Sequence, residues 1–311
     1  MNGTANAPSS GPSASPRRID DLRRGALFAV LAAAAFAVMA ACVKTASATM
    51  PNEVIVFFRS TVSLLVLLPW LLHRGPVVAL KTSRPGGHLW RAGFGTFSMY
   101  AFFYAIAHLH LAVAILLTYS TPLFIPFIGW LVIREPPPLV IIPAVVLGLV
   151  GIALIVKPGS SDFGSLAAVV GLLSGVTAAC AMVSIRRISD TEPAPRIVFY
   201  FSALSSVIAA VPLLWAWRTP GPAMLCLLAA IGVLATLGQL SLTRAYSLGP
   251  AARIGAFTYI AVVFGGLIGW ALWNEAPDFT SALGMLLVIA CCLLAGWRGP
   301  ARPAPAEVAD A

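Results

Sequence analysis

Charged residues are scarce in this chain: they make up 10% of its 311 positions, whereas hydrophobic residues make up 59%. Soluble domains carry about 25% charged residues, so the composition excludes an ordinary soluble fold. The mean hydropathy of +0.91 predicts a chain that lies in a lipid bilayer. Acidic residues number only 11, and each falls in a predicted loop or at a predicted helix end. Because exchange of protons for lipophilic cations typically needs a carboxylate inside the membrane, the sequence disfavours that kind of efflux pump.

Motifs that would indicate an enzyme, an ATP-driven pump or a metal site are also missing. The chain has no Walker A loop, no zinc-protease helix and no nucleophile elbow. Its five cysteines fall in apolar stretches without the spacing of metal ligands. His108 and His110 flank Leu109 in a predicted turn, but no third metal ligand is near them in sequence. We therefore predict no enzymatic activity, no cofactor and no bound metal.

Long apolar stretches are what the chain has in abundance. Charged residues and Pro/Gly clusters divide it into ten stretches near the length of about 20 residues that a transmembrane helix needs. The predicted spans are 25–43, 54–72, 92–107, 111–133, 138–156, 164–185, 197–216, 223–242, 254–273 and 280–297. The predicted fold class is an all-α membrane protein with ten transmembrane helices.

The chain also repeats itself. Residues 105–135 align without a gap on residues 245–275, and the identical pairs include Thr118/Thr258, Tyr119/Tyr259 and Glu135/Glu275. Five helices per half is an odd number, so the second half enters the membrane from the opposite face, which predicts two inverted repeats and alternating access. The predicted organisation is a cytoplasmic tail at 1–21, a first repeat at 22–157, a second repeat at 158–298 and a cytoplasmic tail at 299–311.

The net charge of +9 is spread between the apolar stretches and does not form one basic stripe, which argues against nucleic acid as a partner. Most Lys and Arg residues fall in segments that lie inside if the amino terminus is cytoplasmic, and Arg91 is assigned to the inner segment at 73–91. The positive-inside rule therefore predicts cytoplasmic termini in a bacterial inner membrane. The predicted partners are the bilayer and a small-molecule substrate, and a homodimer is left open.

Three segments resemble one known family, the ten-helix EamA-type members of the drug/metabolite transporter superfamily. They are Pro122 to Glu135, its echo at Trp270 to Glu275, and the segment PNEVIVFFRS at 51–60. The resemblance covers roughly residues 22 to 297. It implies an inner-membrane carrier of small organic metabolites, often an exporter of amino acids or related compounds. Some relatives import S-adenosylmethionine or riboflavin, and the Phe-Phe-Arg of helix two looks more like that branch.

Arg59 is the sharpest candidate for substrate binding, because it lies several residues inside predicted helix two. A charge inside the membrane is costly and usually has a partner or a cavity. Its counterpart in the second repeat is Ser202, so the charge breaks the symmetry of the repeats. We expect it to bind a carboxylate or phosphate, with an arginine that extends to the membrane surface as the alternative.

Polar and aromatic residues at matching depths complete the predicted substrate site. Its further members are Tyr100, Tyr104, Thr118, Tyr119, Gln239, Thr258, Tyr259 and Trp270, although an interfacial aromatic belt explains Trp270 equally well. Pro122 and Pro126 are predicted to kink helix four beside the cavity. Glu135 and Glu275 close helices four and nine, where a structural or gating role is expected.

The sequence therefore predicts a secondary carrier that exports an amino-acid-like, anionic or zwitterionic metabolite by alternating access. Import of a cofactor-like solute such as S-adenosylmethionine or riboflavin is the alternative. A membrane receptor or sensor without transport is the alternative from another class. The substrate, the coupling ion and the direction of transport are left open.

Overall fold

The computed structural model describes residues 21–108, 117–134, 141–156, 166–273 and 279–296. Helices are the only regular secondary structure in these ranges. Those of the first half are α1 (Leu22–Ser47), α2 (Asn52–Arg74), α3 (Pro76–Leu80), α4 (Pro85–His108), α5 (Thr121–Ile133) and α6 (Ile141–Val156). Those of the second half are α7 (Leu166–Ile188), α8 (Ala194–Ala210), α9 (Leu213–Ala216), α10 (Pro222–Leu248), α11 (Ala251–Phe257), α12 (Ile260–Trp273) and α13 (Phe279–Gly296).

Local sequence signals set several helix ends. The carboxylate of Asp21 accepts a hydrogen bond from the backbone N–H of Arg24 and caps α1. Pro222 occupies the first position of α10, where the missing N–H of proline costs nothing. Gly75 adopts the left-handed φ of 77° that ends α2 and turns the chain into α3.

Five segments of the described chain are long and apolar enough to cross a membrane: Leu22–Ser47, Asn52–Arg74, Leu166–Ile188, Pro222–Leu248 and Ala251–Leu272. Four shorter apolar helices accompany them, at Phe124–Ile133, Ile141–Gly151, Ala194–Ala210 and Ala282–Cys291. Large hydrophobic side chains such as Leu65, Leu214 and Trp215 are exposed on the outside of the bundle, as a lipid-facing surface requires. The all-helical membrane class is confirmed, while the count of ten spans stays a prediction.

Helices from the two halves pack against each other in matching pairs. Helix α1 packs on α10, and its counterpart α7 packs on α4, the counterpart of α10. In the same way, α5 packs on α7, and their counterparts α12 and α1 pack on each other. The core is therefore shared between the halves, and this pairing positions a cavity between them.

Several helix boundaries differ from their predictions, and the start of α4 matters most for the site. Helix α4 begins at Pro85, seven residues before the predicted stretch 92–107, so Arg91 lies inside a helix and not in a loop. Three predicted helices are also interrupted, because turns at 119–120, 211–212 and 258–259 break the stretches 111–133, 197–216 and 254–273. The start of α4 and the turns at 119–120 and 258–259 bear directly on the cavity.

Candidate functional site

A central cavity of about 190 Å³ lies between the two halves. Most of its wall is apolar, formed by alanine, phenylalanine, methionine and other hydrophobic side chains. The polar and charged residues that line it are Arg59, Arg91, Ser98, Thr118, Tyr119, Thr121, Gln239, Tyr246 and Thr258. A concave, mainly apolar site with a few polar groups is typical of small-molecule binding.

Arg59 reaches the cavity from α2 and is only 3% exposed. Its Cζ atom lies 5.2 Å from the centre of the Phe201 ring on α8, a cation–π distance. The Nε and Nη1 atoms are buried without a hydrogen-bond partner among the described residues. Ser202, its counterpart in the second half, is buried next to Phe201. Arg59 thus holds unused hydrogen-bond donors beside the cavity.

Arg91 is the second cation of the site, and the sequence prediction placed it in a loop. It is 2% exposed on α4, and its Nη2 donates a hydrogen bond of 2.7 Å to Oε1 of Gln239 on α10. Its Cζ lies 4.0 Å from the centre of the Phe201 ring. A Cβ atom at Gly95 would overlap Nη1 of Arg91 and lie 2.8 Å from Phe201. The glycine one turn along α4 therefore makes the room that the guanidinium occupies.

No Asp or Glu of the described chain forms an ion pair with Arg59 or Arg91. Two guanidiniums therefore share the ring of Phe201, and no carboxylate of the described ranges neutralises them. Burial of an unpaired charge is costly, and a guanidinium presents a planar set of donors that matches carboxylate and phosphate oxygens. The cavity is electropositive and suited to an anion.

Helix breaks bring polar backbone and hydroxyl groups to the cavity at nearly the same point of each half. In the first half, Tyr119 and Ser120 form the turn before α5, and the hydroxyls of Ser120 and Thr121 donate hydrogen bonds of 2.6 Å to the carbonyls of Leu117 and Thr118. In the second half, Thr258 donates to the carbonyl of Gly255 at 2.6 Å. Local hydroxyls thus satisfy carbonyls that the breaks free from the helical ladder.

The predicted substrate residues divide into two groups. Those that line the cavity are Arg59, Thr118, Tyr119, Gln239 and Thr258. Those outside its lining are Tyr100, Tyr104, Tyr259 and Trp270. The lining residues that the sequence prediction did not name include Arg91, Phe201 and Tyr246. A glycine four positions after a basic residue was the available signal for Arg91, whereas Phe201 and Tyr246 look like ordinary membrane-core residues.

The four residues outside the lining have other surroundings. Tyr259 is fully buried, with its hydroxyl 3.5 Å from the carbonyl oxygen of Val145 on α6. The Tyr104 ring stacks on His108 at 4.0 Å. Trp270 is half exposed. The hydroxyl of Tyr100 is buried and has no hydrogen-bond partner among the described residues.

The predicted gating residues lie on or just beyond helix α5 and its counterpart. Pro122 and Pro126 are buried in α5, close to the break that precedes it. Glu135 and Glu275 lie outside the described residues, and so does His110. The structural or gating role of Pro122, Pro126, Glu135 and Glu275 stays a prediction.

A polar cluster around the buried side chain of Glu192, which we call the clasp, joins the two halves at the end of the molecule that holds the α3–α4 and α7–α8 connections. It consists of Thr82, Ser83, His88, Glu192 and Arg196. The side chain of Glu192 is 0% exposed. It accepts hydrogen bonds from the Thr82 hydroxyl at 2.7 Å, from Ser83 N–H at 3.1 Å and from Arg196 at 2.8 Å. The Nε2 atom of His88 lies 3.7 Å away.

Arg196 and Tyr200 extend the clasp to the backbone of α3. Arg196 donates to the carbonyls of Ala79 and Val78 at 2.6 and 2.9 Å, and the Tyr200 hydroxyl donates to the carbonyl of Leu80 at 2.7 Å. Burial raises the pKa of Glu192, but the hydrogen bonds from Arg196, Thr82 and Ser83 outweigh it, so the pKa lies below the ordinary glutamate value. The clasp therefore holds an ionised carboxylate between the halves.

At the opposite end of the molecule, the contacts between the halves that involve described residues are weaker. Arg218 donates one exposed hydrogen bond of 2.6 Å to the carbonyl of Thr49, and the rings of Phe58 and Trp217 stack at 6.3 Å. Within the first half, the Asn52 side chain donates to the carbonyl of Tyr100 at 3.3 Å. None of these described contacts involves a buried ion pair. Among the described residues, the contacts between the halves are thus stronger at the clasp end.

A helical bundle formed by two similar halves around a central cavity with a few polar and charged groups is the architecture of a membrane carrier. The model of the EamA-like transporter family matches residues 23–157 and 165–297, one copy in each half. The chain therefore belongs to the EamA-like transporter family, as its resemblance predicted. The two-repeat architecture and the small-metabolite transporter class are confirmed with it.

Individual proteins with known names also match this chain. The pseudopaline exporter of Pseudomonas aeruginosa is 42% identical over 280 residues, which cover 89% of this chain and 97% of the exporter. The S-adenosylmethionine uptake transporter of Rickettsia prowazekii is 24% identical over 239 residues, 77% of this chain and 81% of that protein. A solved crystal structure matches with a TM-score of 0.74 at 18% identity, over 87% of this chain and 96% of that one. This last likeness shows the fold alone.

Proposed function

We propose that this protein exports a small anionic or zwitterionic, amino-acid-like metabolite from the cytoplasm through the central cavity. The observation that carries the proposal is the pair of buried arginines, Arg59 and Arg91, which line the cavity without an ion-paired carboxylate among the described residues. Pseudopaline, the solute in the name of the Pseudomonas aeruginosa relative, is the first candidate substrate.

The topology and the domain boundaries of this proposal come from the sequence. Ten helices form two inverted repeats at 22–157 and 158–298, with the tails 1–21 and 299–311 in the cytoplasm. The clasp then closes the cytoplasmic end of the cavity. Cysteines introduced at Arg218 and at Lys81 test this orientation in intact cells. We expect an impermeant reagent to label position 218 and not position 81, and the reverse pattern would overturn the topology.

Import of a cofactor-like solute is the second candidate, favoured by the match to the Rickettsia prowazekii transporter. Two uncompensated guanidiniums repel a sulfonium cation such as S-adenosylmethionine, so the cavity favours export of an anion over this import. A receptor, a sensor or an enzyme would need no alternating access, and transport distinguishes all three from a carrier. A homodimer is compatible with the proposal, which needs only one chain.

Reconstitution of the full chain in liposomes with isotope-labelled pseudopaline tests the function. We expect labelled solute on one side of the membrane to exchange for unlabelled solute on the other side. Arg59→Ala should abolish this exchange, while the variant protein still inserts normally into the membrane. A label that is bound but not moved would indicate a receptor, and a chemically altered label an enzyme. Equal transport by wild type and Arg59→Ala would place the site elsewhere.

A further inference from the structure

The charges that line the cavity restrict the number of negative groups on the substrate as well as the sign of its net charge. Arg59 and Arg91 both line the cavity, and the described lining includes no Asp or Glu. Gln239, the hydrogen-bond partner of Arg91, is neutral. A substrate with a single carboxylate neutralises one guanidinium and leaves the other as a buried unpaired charge, which is costly at membrane depth. Two negative groups would neutralise both.

The geometry allows one molecule to contact both guanidiniums. Their Cζ atoms lie 5.2 and 4.0 Å from the centre of the same Phe201 ring. The two carbons are therefore at most about 9 Å apart, the sum of those distances. The ring holds both cations by its π face but accepts no conventional hydrogen bond, so donors stay available: Nε and Nη1 of Arg59 and Nε of Arg91 have no partner in the described chain.

The two arginines both lie near the starts of consecutive spanning helices. Arg59 is seven residues from the start of α2 and Arg91 six residues from the start of α4, about 10 Å along each axis at 1.5 Å per residue. Because α2 and α4 run in opposite directions in the proposed topology, the guanidiniums approach Phe201 from opposite faces of the membrane. This arrangement fits two separate anionic groups on one backbone better than one compact anion.

We propose that the substrate carries two carboxylates, one bound by Arg59 and the other by Arg91, with the apolar part of the molecule between them against Phe201. Gln239 orients Arg91 through its 2.7 Å hydrogen bond. The assignment deepens the proposed function and rests on it. Neither guanidinium has a charged counterpart in the other half, because the equivalent positions are Ser202 and Ile231. The positive charge of the site therefore comes from the first half alone.

Binding of matched probes to the purified full chain tests this assignment. Glutarate carries two carboxylates, its monoamide glutaramate has nearly the same size and one charge less, and inorganic phosphate is a compact anion. We expect glutarate to raise the thermal unfolding temperature and to bind about tenfold more tightly than glutaramate, since a hydrogen-bonded charge pair contributes a factor of this order. Phosphate should bind no better than glutaramate.

Substitutions then assign the preference to the arginines. Arg59→Gln and Arg91→Gln should each reduce the ratio of the two affinities to near one, and Arg91→Lys should keep part of it because the charge remains. Arg218→Gln, at an exposed site outside the cavity, should keep the full ratio. Equal effects of glutarate and glutaramate on the wild type, including no effect of either, would overturn the assignment. So would a ratio unchanged in both glutamine variants, or phosphate binding as tight as glutarate binding.

The liposome assay separates this failure from failure of the proposed function. If labelled pseudopaline is exchanged and glutaramate competes as well as glutarate, the carrier function stands and the two-carboxylate assignment is wrong. If no exchange occurs while glutarate still binds selectively, the site is correct and the transport proposal is wrong.

Discussion

Replacement of Glu192 by glutamine should weaken the clasp and destabilise the protein. Glu192 is 0% exposed and accepts hydrogen bonds from Thr82, Ser83 and Arg196. In the glutamine variant one oxygen can still accept from Thr82 and Ser83, but the amide nitrogen meets the Arg196 guanidinium donor to donor. The variant therefore loses the ion pair while the shape of the side chain is kept.

The size of the loss in stability depends on the hydrogen bonds that Arg196 keeps in the variant. Removal of one partner from a buried ion pair costs about 3–5 kcal/mol when the other is left unpaired. Arg196 keeps its hydrogen bonds to the carbonyls of Ala79 and Val78 and is 15% exposed, so we expect a loss nearer 2–3 kcal/mol, the scale of a hydrogen bond to a charged group. At roughly 2 °C per kcal/mol for a chain of this size or larger, the unfolding temperature should fall by about 4–6 °C.

Arg218→Gln is the matched control at the opposite end of the molecule. It removes one exposed hydrogen bond to the Thr49 carbonyl, which should cost less than about 1 kcal/mol. Differential scanning fluorimetry of the wild type and both variants in the same detergent measures the difference. An Arg218→Gln shift as large as that of Glu192→Gln would show that the clasp has no special role in stability.

The dependence on pH gives a second check of the same reasoning. The folded-state pKa of Glu192 is lowered, so its stabilisation is present above the unfolded value of about 4.3 and is lost as the pH falls through the folded pKa. The gap in unfolding temperature between the wild type and Glu192→Gln should therefore persist from pH 7 to about pH 4.3 and close below that. A gap that stays constant to pH 3, or no gap at pH 7, would refute the account.

Two further predictions concern the helix breaks. Tyr119→Phe should weaken substrate binding about 2- to 12-fold in the liposome assay, the value of one hydrogen bond, whereas Tyr259→Phe, with its ring packed on α6 away from the cavity lining, should leave affinity unchanged; equal losses would contradict this placement. Gly175→Ala should lower the unfolding temperature and transport, because its Cβ would lie 2.6 Å from Oγ of Ser120 and 2.8 Å from the carbonyl oxygen of Leu117. Gly93→Ala meets nothing within 4 Å and is the control, so a loss as large in this variant would point to helix propensity instead of crowding.

The membrane class, the duplication and part of the cavity lining could be predicted because each produces a local pattern in the sequence. Arg59 is visible as a charge inside an apolar stretch. Arg91 is equally buried, but α4 begins with Pro85 and two glycines, so hydropathy starts the helix after the arginine and the positive-inside rule accounts for its charge. Burial of Arg91 depends on Gly95, Phe201 and Gln239 from three helices, which no local pattern brings together.

The pair of tyrosines shows the limit of reasoning from symmetry. Tyr119 and Tyr259 occupy the same position in the aligned repeats, and both lie at a helix break. Tyr119 lines the cavity, whereas the Tyr259 ring fills the space beside Gly148 of α6 and Cys291 of α13. The repeat gives the two tyrosines equivalent positions along their helices. Which side of a helix faces the cavity, however, depends on how the neighbouring helices pack in a given conformation.

In the proposed export cycle, the two buried guanidiniums also make transport sensitive to the membrane voltage. Arg59 and Arg91 belong to α2 and α4 of the same half, so a shift of that half through the membrane moves two positive charges. An elementary charge that crosses the whole bilayer exchanges about 2.3 kcal/mol with the field per 100 mV. In this proposed cycle, a bound dianion would cancel both charges, and the loaded carrier would move without electrical work. With a negative cytoplasm, the field would draw the empty cavity inward, so the resting potential of the cell would drive the return step of the proposed exporter and leave its loaded step unaffected.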